Sequence, residues 1–156
     1  MKRTLTLCFA FILVLGLVGC SGTTTFQKGS MSITLPSEFE EINRPDYTVC
    51  YNSAEVTVFV LRETVADTTL AEYADGVRSA NTWLSPDPIE MVDGLTTMEY
   101  IYENIPAQMT ICYFATMFQD PSGDFWLIQF CCEDYFYEQY RPQFIEWAKT
   151  VCFDSK

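Results

Sequence analysis

Two neighbouring segments of the chain carry large apolar side chains on both sides of an extended backbone. In residues 109–118, and again in residues 125–132, the positions that would face opposite sides of a strand are nearly all apolar. The turn-forming residues 120–124 join the two segments, so the pattern predicts an antiparallel hairpin. A sheet with one wet face would show polar residues at every second position. We therefore expect other elements to cover both faces of this sheet.

The chain also contains shorter strand patterns, rich in β-branched and aromatic residues. They are residues 32–35, 47–51, 55–62, 89–92 and 96–102. Residues 47–51 and 55–62 are expected to form a hairpin that turns at Asn52-Ser53, and Asp93-Gly94, between the last two patterns, is a typical hairpin turn. Residues 38–46 carry no such pattern and are expected to be a loop.

Two further segments show the three- and four-residue spacing of an amphipathic helix. They are residues 68–84 and residues 135–151. Pro142 is best tolerated in a first helical turn, so the main part of the second helix is expected to begin near Arg141. The whole pattern predicts an α+β domain, with an antiparallel sheet of about five to seven strands covered by helices on both faces.

The first 20 residues predict export and lipidation. A basic start precedes an apolar run over residues 7–18, which is typical of a signal peptide and too short to span a bilayer. The run ends in Leu17-Val18-Gly19-Cys20, which resembles the bacterial lipobox. Residues 1–19 are thus expected to be removed, and Cys20 is expected to carry the lipid through a thioether. The lipid would tether the protein to the extracytoplasmic face of the cell membrane.

The composition then changes twice along the chain. Residues 20–30 are rich in Ser, Gly and Thr, which predicts a flexible tether behind the lipidated cysteine. Residues 31–156 have the length and apolar content of a single globular domain.

The charge and the missing residue types exclude several functions. All 21 acidic residues follow Cys20, and seven basic residues remain after the signal, so the mature side-chain charge is −14. Such a surface does not bind nucleic acid, which requires clustered Lys and Arg. The chain contains no histidine, which removes Ser-His-Asp triads, Cys-His pairs and His-based metal sites. The sequence therefore predicts no cofactor, no metal site and no catalytic residue.

Five cysteines follow the lipobox: Cys50, Cys112, Cys131, Cys132 and Cys152. They are expected to be small buried apolar residues. If the hairpin turn is centred on Ser122, the residue opposite Cys112 is Cys132, and a shift of one residue makes it Cys131. Cys112 with Cys132 is therefore the favoured disulfide candidate, with Cys131 as the alternative partner of Cys112.

Two groups of carboxylates suggest weaker alternatives. Asp120, Ser122 and Asp124 alternate as in a calcium loop, but the segment joins two strands and is expected to be a hairpin turn. Glu38, Glu40 and Glu41 would bind a cation or serve an enzyme as a general acid and base, although a solvated loop is the favoured interpretation.

The last helix is preceded and opened by aromatic residues. Phe136, Tyr140 and Phe144 fall at helical spacing and are expected to pack on the sheet. Tyr137 lies off this stripe, which makes it the candidate for binding a partner, because Tyr is favoured at interface hot spots.

The order of elements resembles the PsbP-like fold, which is shared by an extrinsic subunit of photosystem II, a nuclear Ran-binding release factor and many small bacterial lipoproteins. Three segments carry the resemblance: Ser32-Ile33-Thr34-Leu35-Pro36, Thr69-Leu70-Ala71-Glu72-Tyr73 and Phe144-Ile145-Glu146-Trp147. It implies an αβα sandwich with a binding or assembly-factor role.

These observations favour a membrane-tethered, non-enzymatic binding or assembly-factor domain with an envelope protein as its partner. A lipoprotein that binds a small molecule or glycan through the aromatic end is the alternative. A carboxylate-dependent enzyme is a third interpretation.

Overall fold

The computed structural model describes residues 22–154. Their strands are β1 Thr23–Lys28, β2 Met31–Pro36, β3 Glu40–Ile42, β4 Val49–Asn52, β5 Thr57–Glu63, β6 Glu90–Val92, β7 Leu95–Asn104, β8 Met109–Gln119, β9 Phe125–Glu133 and β10 Cys152–Phe153. The helices are α1 Leu70–Ala80 and α2 Asp134–Ala148. The α+β class is therefore confirmed.

The strands form two antiparallel sheets. Seven strands make the larger sheet in the order β3-β4-β5-β9-β8-β7-β6, and β1-β2-β10 make a smaller one. The three predicted hairpins, β4–β5, β6–β7 and β8–β9, are all present. Asp93 and Gly94 both have positive φ, as the tight β6–β7 turn requires. The sequence pattern gave the hairpins but not the division into two sheets.

The central strands are buried on both faces, as their sequence predicts. One side of the larger sheet, here called the first face, contributes Phe114, Trp126, Ile128 and Phe130 to one core cluster. The opposite side, the second face, contributes Ala115, Met117, Phe125 and Leu127 to another cluster. Adjacent residues of β8 and β9 thus enter different cores, because successive side chains point to opposite faces.

Helix α2 and the smaller sheet supply the rest of the first-face core. Phe144, Ile145 and Ala148 of α2 are buried in it, together with Met31 and Ile33 of β2. This helix was expected to begin near Arg141, and that prediction was wrong, since it runs from Asp134 through Pro142. Phe136 and Tyr140 also pack on the core, and their burial offsets the missing hydrogen bond at the proline.

Helix α1 lies on the second face, where Tyr73 and Ala74 are buried against the strands. Its start is fixed by a capping box: the Thr69 hydroxyl accepts from the Glu72 amide, and the Glu72 carboxylate accepts from the Thr69 amide. The helix ends at Ala80, after 11 residues, so it covers only part of this face. Neither helix in residues 22–154 combines the length and the apolar character needed to cross a bilayer.

Two segments predicted as irregular form strands instead. Residues 23–28, placed in the flexible tether, form β1 and pair with β2 over their whole length. Threonine favours extended structure, and the edge of β2 supplies the hydrogen bonds that composition alone does not reveal. Residues 40–42 form β3 at the edge of the larger sheet. The predicted signal peptide, residues 1–19, and the predicted lipidation site, Cys20, lie outside the described residues.

Candidate functional site

A groove opens on the part of the second face that α1 leaves uncovered. Its volume is about 370 Å³, and we call it the aromatic groove. It is lined by Tyr47, Leu61, Asn81, Trp83, Leu84, Tyr100, Tyr102, Tyr113, Leu127 and Gln129. A volume of this size, walled by aromatic side chains with a few polar groups, is typical of ligand-binding clefts.

The end of α1 shapes one wall of the groove. Asn81 follows the helix, and its side-chain amide donates to the Val77 carbonyl at 2.7 Å. A short 3-10 turn over Thr82–Leu84 then redirects the chain, ending at Ser85 in the left-handed region with φ 47°. Trp83 projects from this turn with 70% of its surface exposed. Its ring meets the ring of Tyr102 on β7 edge to face, with centroids 6.3 Å apart.

A stacked pair of tyrosines from neighbouring strands forms part of the groove wall. Tyr100 of β7 and Tyr113 of β8 are directly paired, and their rings stack with centroids 4.6 Å apart and planes inclined by 8°. Tyr47 stacks on Phe59 of β5 at the same centroid distance. The Gln129 side-chain amide donates to the Tyr100 hydroxyl at 2.7 Å. Cross-strand pairing thus holds the rings of Tyr100 and Tyr113 in fixed positions.

The groove is electrically neutral although the protein is strongly acidic. Its ten lining residues, all within the described part of the chain, include no charged side chain. Burial is the main cause that raises the pKa of the Tyr47, Tyr100 and Tyr113 hydroxyls. These hydroxyls therefore remain protonated at neutral pH. The groove offers apolar ring faces and neutral hydrogen-bonding groups, and it offers no general base or nucleophile of altered acidity.

Tyr137, the predicted partner-binding residue, lies elsewhere. Its ring packs against the first-face core, with its centroid 6.2 Å from that of Phe144. Its hydroxyl donates to the Glu99 carboxylate, which also accepts from the Arg141 guanidinium at 2.6 Å. Burial, followed by the bond to Glu99, raises the pKa of Tyr137. Tyr137 therefore does not stand clear of the core, because its partly buried ring packs on Phe144 and its hydroxyl binds Glu99. Its role in binding a partner stays a prediction.

The other aromatic residues of this end divide between core and surface. Tyr140 stacks on Phe144, and its hydroxyl donates to the Glu55 carboxylate. Tyr135 is 67% exposed and touches its neighbour Phe136. The aromatic end is thus mainly a packing element, and Tyr135 is its most exposed ring.

The two carboxylates of the Asp120–Asp124 turn accept hydrogen bonds from within the turn and from neighbouring segments. The buried Asp120 carboxylate accepts from the Ser122 amide and hydroxyl, the Asp124 amide, the Trp126 indole and the Ser30 hydroxyl. The Asp124 carboxylate accepts from Arg62 and Thr64. Both carboxylates are thus engaged with protein donors. Within residues 22–154 no group of three or more His, Cys, Asp or Glu side chains is placed to hold a metal ion.

Glu40 and Glu41 are adjacent on β3, so they point to opposite faces of the strand. The Glu41 carboxylate accepts from Lys28 at 3.1 Å, and the side chain of Glu40 is exposed. The two residues do not face each other as a general acid and base would.

Pairing of β8 and β9 places Cys112 directly opposite Cys132, which confirms the register predicted from a turn centred on Ser122. Cys131 pairs with Tyr113 and lies on the second face. The five cysteines of the described region are all free thiols, so the predicted disulfide is not formed in this structure. Burial is the main cause that raises the pKa of the Cys131 and Cys132 thiols, in each case to about 12.

Sequence reasoning did not single out the residues of the groove. The alternation of Tyr100 and Tyr102 on one predicted strand indicated a shared face. The pairing with Tyr113 and the approach of Trp83 depend on contacts between separate elements. No motif in the sequence marks those contacts.

Comparison with known proteins shows the fold and no more. No family model matches the chain, and no curated protein matches it. The solution structure of cyanobacterial PsbP (CyanoP) from Synechocystis is similar to it with a TM-score of 0.58 at 12% sequence identity. The match covers 89% of this chain and 96% of the cyanobacterial one. The chain therefore has a PsbP-like fold.

Proposed function

We propose that this protein is a membrane-tethered extracytoplasmic lipoprotein that acts by binding, as a non-enzymatic recognition or assembly-factor domain. The observation that carries the proposal is the aromatic groove, a neutral, ring-lined cleft on a protein whose surface is otherwise acidic. The PsbP-like fold supports a role of this class. Fold alone does not decide function, so the groove is the deciding feature.

The groove has the composition of a recognition surface. Trp and Tyr are enriched among the residues that dominate binding energy, because they bury a large apolar area with few rotatable bonds. Trp83 is the most exposed of the rings, and Tyr102 supports it from β7. A partner that covers both rings would remove a large apolar area from water, at roughly 25 cal/mol per Å² before the costs of association.

The lipobox supports the tethering half of the proposal. Lipidation of Cys20 would hold the domain at the membrane surface and raise its effective concentration toward any partner in the same envelope. The acidic surface would keep the domain soluble and disfavour close contact with anionic headgroups.

The experiment compares partner capture by three forms of the full chain, expressed in the source organism and cross-linked before membranes are solubilised. They are the unaltered protein, a Trp83→Ala/Tyr102→Ala double variant and a Tyr135→Ala control. Tyr135 is nearly as exposed as Trp83 but does not line the groove. We expect the double variant to lose partners that the other two forms retain.

Equal capture by all three forms would remove the groove from the proposal. Catalytic turnover that disappears on replacing Glu40 or Glu41 would favour the enzyme interpretation instead. Circular dichroism melts of each form check that the loss does not come from unfolding.

Binding of a small molecule or glycan is the second candidate. The observation in its favour is the combination of ring faces with the neutral amides of Asn81 and Gln129 in one concave site. Titration with neutral oligosaccharides, followed by tryptophan fluorescence, tests it. A response that vanishes in Trp83→Phe, which keeps a ring but removes the exposed indole, would support a ligand in the groove.

A further inference from the structure

The outer edge of β7 is paired along only part of its length. Strand β6 covers the first three residues, from Leu95 to Thr97. The segment after α1 adds one bond, in which the Asp87 amide donates to the Glu99 carbonyl at 2.9 Å. From residue 100 to residue 104, no backbone group in residues 22–154 forms a hydrogen bond with the outer side of β7. We call residues 100–104 the free edge.

Alternation along the strand identifies the exposed backbone groups. The Glu99 carbonyl points away from β8, toward Asp87. In an antiparallel strand the residues whose amide and carbonyl face one neighbour alternate with those that face the other. Ile101 and Glu103 therefore present their amides and carbonyls outward, whereas Tyr100 and Tyr102 bond to β8. Unpaired backbone groups of this kind are a template for an added strand.

The second-face side of the free edge is apolar. Tyr102 projects there, and Trp83 lies against it at the mouth of the aromatic groove. A strand added to the edge would place every second side chain beside these two rings, and apolar side chains fit that position best.

The first-face side of the free edge is acidic. Ile101 projects there with 53% of its surface exposed, directly opposite Cys112. The first turns of α2 lie beside this side, because Tyr137 and Arg141 of that helix bind Glu99 of β7. Asp134 and Glu138 are exposed carboxylates on the same turns, and their charges, after burial, raise the pKa of the Cys112 thiol. Glu103 adds an exposed carboxylate on the edge itself.

The cation described near this side, Arg141, already forms an ion pair. Arg141 binds Glu99 through two of its nitrogens, so it neutralises that carboxylate and leaves Asp134 and Glu138 without an ion pair to a basic residue in residues 22–154. The remaining side chains of an added strand would face these carboxylates, and basic side chains complement them.

We infer that the free edge of β7 binds an extended peptide segment whose side chains alternate between basic and apolar residues. Its backbone pairs with Ile101 and Glu103, its apolar side chains lie beside Tyr102 and Trp83, and its basic side chains face Asp134 and Glu138. The inference names a partner for the binding function proposed above and rests on it for the contact with the groove. The unpaired edge of β7 is a separate observation, and pairing at it has its own test.

The probe is a synthetic acetylated and amidated peptide of alternating Lys and Val. The control peptide has the same sequence with every backbone nitrogen methylated, so that it keeps the charge and the side chains but has no amide donors. Both are titrated at physiological salt, which screens contacts that depend on charge alone. We expect the first peptide to bind, to slow hydrogen exchange at the Ile101 and Glu103 amides, and to lose at least about tenfold in affinity on methylation.

Variants of the protein test the same contact from the other side. Ile101→Pro removes one outward amide and no bond to β8, a change that an edge strand tolerates. Ile101→Thr keeps the amide and is the matched control. We expect Ile101→Pro to weaken peptide binding about tenfold or more and Ile101→Thr to retain most of it.

Absence of binding by the first peptide, equal affinity of the methylated peptide, or equal affinity of the Pro and Thr variants overturns the inference. If Ile101→Pro lowers the melting temperature, the methylated peptide on the unaltered protein decides. If the Trp83→Ala/Tyr102→Ala variant loses its captured partner while Ile101→Pro retains it, the proposed function stands and the inferred edge pairing is wrong. If peptide binding depends on the edge but the Trp83→Ala/Tyr102→Ala variant still captures its partner, the edge pairing is supported and the aromatic groove is not the binding site.

Discussion

The hydroxyl of Tyr137 on α2 donates a hydrogen bond to the carboxylate of Glu99 on β7, 38 residues away in the sequence. Arg141, one helical turn after Tyr137, binds the same carboxylate at 2.6 Å. The three side chains fasten the beginning of the C-terminal helix to the sheet. They also hold the ring of Tyr137, which is partly buried, against the first-face core.

Replacing Tyr137 with Phe should therefore lower stability without altering partner capture. The variant loses one hydrogen bond to a charged acceptor, which contributes about 1.5 to 3 kcal/mol, while the ring keeps its packing on Phe144. Chemical denaturation measures the loss. Tyr135→Phe is the control, and it should be neutral because that ring is exposed. A Tyr137→Phe protein of unchanged stability that fails to capture its partner would restore Tyr137 as a contact residue.

Trp126→Ala should be among the most destabilising single changes in the domain. The side chain is fully buried in the first-face core, and its indole donates to Asp120 at 3.0 Å. Removal of a buried large aromatic side chain costs about 3 to 5 kcal/mol, and loss of the indole hydrogen bond to the buried Asp120 carboxylate, which keeps its bond from Ser30, adds to that cost. Urea denaturation of this variant beside Trp83→Ala provides the comparison, since Trp83 should change stability by no more than about 0.5 kcal/mol. Similar losses for the two variants would contradict the burial argument.

Stability should decline in acid through Asp120. Burial by itself would raise the pKa of this carboxyl, but hydrogen bonds from Ser122, Trp126 and Ser30 outweigh that effect and hold the pKa below its ordinary value. A lowered folded-state pKa stabilises the protein fully above the unfolded value of about 3.9, and the contribution is lost as pH falls through the folded value.

Asp120→Asn should accordingly be less stable at neutral pH and should lose less stability between about pH 5 and pH 2 than the unaltered protein. Denaturation midpoints across this range provide the measurement. Asp75→Asn is the control, because Asp75 is exposed on α1. An acid dependence that is identical in Asp120→Asn and the unaltered protein would show that other groups carry it.

Oxidation should join Cys112 to Cys132 and not to Cys131. Directly opposed residues on antiparallel strands have Cα atoms roughly 4.5 to 5.5 Å apart, a separation that a disulfide spans, whereas Cys131 points to the other face. Copper phenanthroline is the oxidant, and peptide mapping by mass spectrometry identifies the product. Cys131→Ser should retain the cross-link and Cys132→Ser should lose it. A cross-link between Cys112 and Cys131 would require a shifted register.

Cys20→Ala should abolish lipidation and release the protein from the membrane fraction. The thioether requires a thiol at the cleavage site, and no other cysteine lies between residue 9 and residue 49. Membrane fractionation with intact-mass analysis provides the measurement, and Ser21→Ala serves as the control. A Cys20→Ala protein that stays in the membrane fraction would indicate a different anchor.

Local patterns in the sequence were sufficient for the strands of the three hairpins. The two-sided apolar segments predicted β8 and β9, and the turn at Ser122 predicted the pairing of Cys112 with Cys132. The capping residues Thr69 and Glu72 lie where the first helix begins. These features depend on side-chain alternation and turn chemistry within a few residues, so they can be read without knowledge of the rest of the chain.

Contacts between distant segments decided the features that local patterns did not predict. The threonine-rich segment became β1 because β2 offered it an edge, and α2 continued through Pro142 because its aromatic residues found a core on the first face. The aromatic groove exists because α1 ends before it covers the second face, which leaves Trp83 beside Tyr102. Composition and periodicity indicate which side chains prefer burial. Which element packs on each face of the sheet, and how much of that face it covers, is set by contacts between elements far apart in the sequence.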